Sequence, residues 1–372
     1  FTVTINVTDI TYTASGGDTV ADVVDGLVAA FNASTFDEFE EITATDSTTH
    51  MTLTHDTAGT PFTQTSSATG SATNVTATST AATGPNHYDD ADNWSGGAVP
   101  VNSDDVVIEN SDVDILYGLD QSAVTLTSFL VEPSYTGNIG LPRYNGDYVE
   151  YRDRYLTIKT STFEYKGGGG RCNIDLSSTA VNALVESNAT RAEQTWPAIA
   201  LKGSSITSLV VCAGDYAVAY EGGDTSTVTT LVHSGDATEG RLGAGTGITT
   251  VKIDSGNLYG ESNLTTLEQT GGTYLHDGTA TLGTVNGDAG TLDYRSTGTL
   301  SLLNVGSEHR TTFDAHNASR TVSDCHAAAG ATIEDRNRTV TWTAGINLFR
   351  CGPDAVTLEL GEHLRLTPAA YS

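Results

Sequence analysis

A mainly β protein is the fold class this sequence predicts, with an N-terminal α+β module of order β-β-α-β-β followed by a β-solenoid (a parallel β-helix). Three observations carry the expectation. Only 17% of the 372 residues are charged, 39 are glycine, and Thr and Ser abound, a palette for strands and turns rather than helices. From Pro85 to Pro368, strand and turn signals recur with no convincing helix longer than about ten residues. Within that region one short phrase repeats: a threonine, an apolar residue, then a glycine four or five positions on.

The elements follow in order. "FTVTINV" and "ITYTA" alternate apolar and polar residues, as half-buried strands do. "SGGD" closes that pair, and Asp18 is placed to cap a helix. In "TVADVVDGLVAAFN", Val20, Val23, Val24, Leu27 and Phe31 form one helical stripe destined for a sheet. Strands are expected around Ile42–Thr45, Met51–Thr54 and Phe62–Thr65. These elements define a docking or assembly module over residues 1–65. Residues 66–86 read as a Ser/Thr-rich linker, with a strand around Val75–Thr78 as the alternative. Residues 87–372 are assigned to the solenoid. "STAVNALVESNATRAEQ" (178–194) is its one helix candidate, against a loop.

The repeat is anchored on Leu209, Leu231, Val251, Leu267, Val285 and Leu303, with glycines at Gly214, Gly235, Gly256, Gly272, Gly290 and Gly306. Thr127-Ser128-Phe129 opens in the same way but lacks the glycine. Intervals of 16 to 22 residues are too short for a propeller blade and too variable for a leucine-rich repeat. They suit one coil of a solenoid, in which stacked coils share a core and turns vary outside it. An antiparallel sandwich is the rival arrangement.

The formal charge is −29, and residues 1–142 hold 20 of the 46 acids with no Lys or Arg. Such a surface repels nucleic acid and anionic membrane and favours solubility in salty surroundings. No apolar run approaches 18 residues, so no membrane span is expected. The opening lacks the layout of a signal peptide. A start at Phe1 rather than Met leads us to expect a segment upstream. Cys172, Cys212, Cys325 and Cys351 form no CxxC pair, which argues against zinc and leaves two disulfides or four free thiols open. Eight N-x-S/T sequons, at Asn6, Asn32, Asn74, Asn93, Asn188, Asn263, Asn317 and Asn337, are about what so much Ser and Thr produces by chance.

No nucleophile, phosphate-loop or metalloprotease motif is present, so no catalytic or cofactor-binding residue is assigned and metal ligands stay undetermined. "KGGGGR" (166–171) reads as a flexible turn. "DDADN" (89–93) and "NSDDVVIENSDVD" (102–114) offer the oxygen chemistry of Ca²⁺ sites without EF-hand spacing, and solvated turns are the plainer reading. For a polysaccharide-cleaving solenoid the carboxylates would be Asp288, Asp293 and Asp314, near His309 and Arg310, but they share no common offset from the anchors. His87, His276, His309, His316 and His326 read as structural or surface residues.

Two stretches resemble known families. "FTVTINVTDITYTASGGDTVADVVDGLVAAFNAS" with "MTLTHDTAGTPFTQTSS" resembles small β-β-α-β-β modules of phage and prophage virion proteins. "NWSGGAVPVNSDDVVIENSDVDILYGLDQSAVTLTSFLVEPSYTGNIGLP" (93–142), continued to residue 156, resembles solenoid-like proteins encoded among bacteriophage structural genes. Its "NWSGGAVP" opening also resembles repeat starts of autotransporter-type surface proteins. The resemblance implies a non-enzymatic structural or assembly protein of a phage-like virion: a head decoration, head fibre or tail-associated component. Its partners would be itself and other virion or surface proteins, with a glycan receptor as a further candidate, in a virion or extracellular setting. The alternatives are a secreted adhesin or filament subunit, and a tailspike-type glycan-cleaving enzyme.

Overall fold

A computed structural model describes residues 1–361 except 147, 178–179, 188, 192–195, 237, 350 and 353–354. The chain divides into two compact units. One comprises Phe1–Val99, Val113–Leu119 and Gly140–Tyr155; the other comprises Pro100–Asp112, Asp120–Ile139 and Leu156 onward.

In the first unit, β1 (Thr2–Ile5) pairs antiparallel with β2 (Thr8–Thr11) and with β5 (Gln64–Ser67). β3 (Ile42–Asp46) and β4 (Met51–His55) form a second hairpin, and helices α1 (Val20–Asn32) and α2 (Asp37–Glu40) separate it from β2. The expected order is observed, with α2 added and the last strand displaced by two residues. The core joins Val3, Ile5, Val23, Leu27, Phe31, Phe39, Ile42 and Ala44. Phe31 and Phe39 meet at 4.8 Å between ring centroids. Val20 lies outside this core at 64% exposure, so the buried stripe starts at Val23. Gly26, an unfavourable residue in mid-helix, has the Tyr12 ring against it; a Cβ there would sit 2.2 Å from that ring. From 68 to 86 there is neither strand nor helix, and Val75 is 89% exposed.

Asp18 is not the helix cap. Thr19 is, because its hydroxyl accepts from Asp22 N (3.3 Å) while the Asp22 carboxylate accepts from Thr19 N (2.7 Å). This reciprocal box satisfies two backbone donors. Asp18 instead accepts from Ser15 N and the Tyr12 hydroxyl at 2.8 and 2.9 Å. Thr19→Ala should therefore cost about 1 kcal/mol in denaturant unfolding, and more than Asp18→Ala; the reverse ranking would refute the assignment.

The second unit is a parallel stack of about twelve turns. Each strand hydrogen-bonds to its counterpart one turn later, and every pairing in this unit is parallel, which rules out the sandwich. The anchors form a single column. Val106, Phe129, Phe163, Ala183, Leu209, Leu231, Val251, Leu267, Val285, Leu303, Cys325 and Ile346 succeed one another as direct partners. From Phe129 to Cys325 every member except Ala183 is fully buried. The corner glycines stack as well. Gly256 and Gly272 have φ of 77° and 63°. A Cβ on Gly272 would lie 2.7 Å from Gly256 O, and one on Gly256 would lie 2.8 Å from Gly235 O. Only glycine meets both demands. Gly306, which follows its anchor by three residues rather than five, is outside the positive-φ set.

Two expectations are corrected. The helix candidate contains a strand, Val181–Glu186, whose alternating burial places Val181, Ala183 and Val185 inside. β-Branched and small residues in period-two alternation suit the stack better than a helix; residues 178–179, 188 and 192–194 of that stretch lie outside the described set. "KGGGGR" is a packed turn. Gly168 N and Gly169 N donate to Tyr135 O and Gly137 O, both at 2.7 Å, and a Cβ on Gly167 would lie 2.1 Å from Glu132 O. Cys172, Cys212, Cys325 and Cys351 are all free thiols.

Candidate binding face

On the outside of the stack, threonines also form columns. Thr230, Thr250, Thr266 and Thr284 are direct partners, as are Thr299, Thr321 and Thr341. Parallel strands repeat about every 4.8 Å, so these hydroxyls recur at that interval. Beside the first column lies a shallow depression of about 460 Å³ lined by Thr227, Gly247, Ile248, Thr249, Asn263, Leu264, Thr265, Thr281, Leu282, Gly283 and Ser301. None of these residues carries a charge, although the chain carries −29. Thr281 N and its hydroxyl both donate to Asn263 Oδ1, at 2.8 and 3.0 Å, which fixes the amide. The Lys252–Glu268 pair (2.9 Å) occupies the next column. The face offers hydrogen bonds and apolar contact but no group that titrates. It suits recognition of a neutral polar surface rather than proton transfer.

The carboxylates considered for glycan cleavage are dispersed. Asp288 is exposed on its own turn. Asp293 pairs with Arg295 at 2.6 Å and Asp314 with Arg336 at 2.8 Å. Arg310 pairs with Glu334 at 2.6 Å, and Arg336 reaches Glu334 at 3.2 Å and also contacts Glu359. Hydrogen bonding from Arg310 holds the Glu334 carboxyl below its usual range, which favours an anion and opposes a role as general acid. Similar cross-turn pairing joins Arg241 to Asp215 (2.9 Å) and Lys202 to Asp224 (3.5 Å). His309 points into the interior, away from these groups, with Nε2 3.1 Å from Gln269 Oε1.

The acidic turns serve local structure. Asp90 accepts from Asp92 N and Gly84 N at 3.0 and 2.9 Å, and Asn93 Nδ2 donates to Gly84 O and His87 O. Asp104 accepts from Val101 N, and Asp105 from the Ser128 hydroxyl. Among the described residues no three His, Cys, Asp or Glu side chains are arranged to hold a metal. None of the described helices is long and apolar enough to cross a membrane. His87 is buried, Nε2 2.6 Å from Gly59 O; His276 is buried in the solenoid; His326 is partly exposed, 3.4 Å from Asp324.

A second polar cluster lies within the first unit. Arg152 makes a bidentate pair with Glu150, both bonds 2.7 Å, and donates to Pro61 O at 3.2 Å. Its guanidinium lies 5.3 Å from the Tyr151 ring centroid and 6.0 Å from that of Tyr117. Glu41 accepts from Asn145 and Tyr151, each at 3.2 Å. Burial, followed by the influence of Glu41, pushes the Tyr148 and Tyr151 hydroxyls well above their ordinary range. His55 has Nε2 3.6 Å from Glu41, and its Nδ1 accepts from Thr57 N at 3.0 Å. The cluster fastens residues 140–155 to the module.

The residues that sequence reasoning missed are the polar interior ones. His233, Gln269 and Gly287 each stand two positions after an anchor, in the column that holds Val211, Ile253 and Val305. That offset was the available signal. Compared with models of protein families, with curated proteins and with solved structures, the chain matches none.

Proposed function

We propose that this chain is a non-enzymatic structural protein that assembles through its own copies and neighbouring proteins into a phage-like virion, as a head decoration, head fibre or tail-associated component. The observation that carries the reading is the uninterrupted stack of about twelve turns with a charge-free hydroxyl face on a chain of −29. A continuous solenoid core resists bending and holds that face at fixed spacing, and charge-free patches are where acidic surfaces meet without repulsion. In this reading the N-terminal module attaches and the solenoid projects or tiles, in a virion or extracellular setting. Light scattering and electron microscopy should show a homo-oligomer or a particle-bound protein. Thr265→Glu, an exposed change on the face, should abolish that association at unchanged melting temperature. A monodisperse monomer that never joins particles would refute the proposal.

The hydroxyl face also favours a second reading, a surface adhesin for a neutral glycan. Exposed hydroxyl and amide groups on Thr249, Asn263, Thr265 and Thr281 can exchange hydrogen bonds with sugar hydroxyls. A glycan panel should then give binding, without reducing-end release, that Thr265→Glu removes.

A further inference from the structure

We propose that the polar interior between Ser226 and Thr312 is an acid-sensitive segment of the solenoid, opening below about pH 5 while the turns from Val106 to Leu201 stay stacked.

The interior changes character along the stack. The early turns enclose Phe129, Phe163, Tyr165, Ile174, Leu176 and Leu201 together with the neutral, hydrogen-bonded Thr160 and Asn173, all buried, and the sequence has no histidine between His87 and His233. The later turns enclose His233, His276 and His309, at 0, 0 and 1% exposure. Each is held as the neutral ring. Gln269 Nε2 donates to Gly271 O, Gly272 O and Thr291 O, so its Oε1 accepts from His309 Nε2–H at 3.1 Å, and His309 Nδ1 faces the Thr311 hydroxyl at 3.4 Å. His276 Nε2–H donates to Ala280 O at 3.0 Å, which leaves Nδ1 to accept from the Tyr274 hydroxyl at 3.2 Å. His233 Nδ1 is 2.9 Å from the Tyr216 hydroxyl, while its buried Nε2 has no hydrogen-bond partner.

A second proton on any of these rings would meet hydroxyls or an empty wall rather than a carboxylate. The groups facing His233 are Tyr216 and the Gly256 corner, and those facing His309 are Gln269, Thr311 and Gly287. His276 faces Tyr274 and Tyr294, with Asp277 beside it as the one nearby anion. On the far side of Tyr294, Arg320 supplies a cation by donating to Tyr294 O. Small residues let these rings in: a Cβ on Gly287 would lie 2.3 Å from His309, and one on Gly240 would lie 2.6 Å from Tyr216. A proton gained there would be a charge sealed among apolar side chains and hydroxyls, which burial penalises.

The sign follows from burial, which holds all three histidines down to about 4, against 6.5 for the exposed ring. A folded value below the unfolded one means that the stabilisation is complete above pH 6.5 and is lost as pH falls towards 4. At pH 4.5 each histidine released shifts the open–closed balance roughly 75-fold. The whole-chain effect has the opposite sign. Acidification towards the isoelectric point of about 4.3 relieves the self-repulsion of a −29 chain.

Hydrogen–deuterium exchange mapped by peptide at pH 7.0 and 4.5, corrected for intrinsic rates, tests the proposal on the full chain. Peptides within 226–312 should lose protection by at least roughly 50-fold on acidification, while those within 120–139 and 156–201 should keep theirs. His233→Gln/His276→Gln/His309→Gln should abolish the difference. If that variant does not fold at pH 7, the wild-type map and a proton NMR titration decide. Acid loss that is uniform or begins outside 226–312, or ring signals of all three histidines titrating near 6.5 in the folded protein, overturns the proposal. Preferential loss within 226–312 with rings that stay neutral until opening supports it.

Discussion

Arg320→Met is expected to destabilise the solenoid by about 3–5 kcal/mol, read as a lower denaturant midpoint. Arg320 is only 2% exposed, yet its partners are carbonyls. Nη1 donates to Tyr294 O (2.6 Å) and Phe313 O (3.0 Å), Nη2 to His316 O (2.9 Å) and Nε to Ala318 O (3.2 Å). Burial pulls its pKa down, and the nearby Asp335 opposes that shift. The guanidinium thus works as a rigid four-way donor that lets an irregular stretch (313–319) lie against the stack with its backbone satisfied. Methionine keeps most of the volume and removes every donor. Lysine keeps the charge but not the fork, and Arg320→Lys should fall between wild type and Arg320→Met. A cost below about 0.5 kcal/mol for Arg320→Met, the range of an ordinary surface change, would show that water replaces the guanidinium.

Phe163→Ala should cost a similar amount, about 3–5 kcal/mol, for a different reason. Phe163 is fully buried in the anchor column, its ring 6.1 Å from Phe129 and 6.5 Å from Tyr165, stacked in both cases. Truncation leaves a hole between two turns whose spacing is set by backbone hydrogen bonds, so the stack cannot collapse to fill it. Thr266→Ala, on an outward column, removes no core volume and should stay within about 0.5 kcal/mol. Denaturant unfolding of both variants checks the contrast; equal costs would mean that Phe163 does not pack as described.

Much of this architecture was legible in the chain. Leu209 to Leu303 were picked out by their own spacing and proved to be direct partners in one buried column. Gly214, Gly235, Gly256, Gly272 and Gly290 are real corners, unlike Gly306, because their demand is local: positive φ and a neighbouring turn's carbonyl against Cα. Residues 178–194 read as helix or loop because the six-residue strand pattern of Val181–Glu186, inside Ala- and Glu-containing surroundings, offers the same local signal as a helix. The cap moved from Asp18 to Thr19 because both residues can cap, and the position of Asp22 three residues later decides between them. The hydroxyl face was unreadable one turn at a time, since Thr227, Thr249, Asn263, Thr281 and Ser301 become neighbours only when turns of unequal length stack.

By itself, the sequence determined the alternation of strand and corner, the inward column and the order of the N-terminal module. Each of these is set by side-chain branching, apolar periodicity and backbone freedom within a few residues. Only the tertiary structure decided which polar groups are sealed inside and which charges are spent. His309 finds Gln269 across 40 residues of chain, and Tyr216 finds His233 across 17. Arg310 and Arg336 neutralise Glu334 and Asp314 from more than 20 residues away. Such partners are chosen by stacking, because a buried or crowded polar group must be paired by whatever the adjacent turn presents.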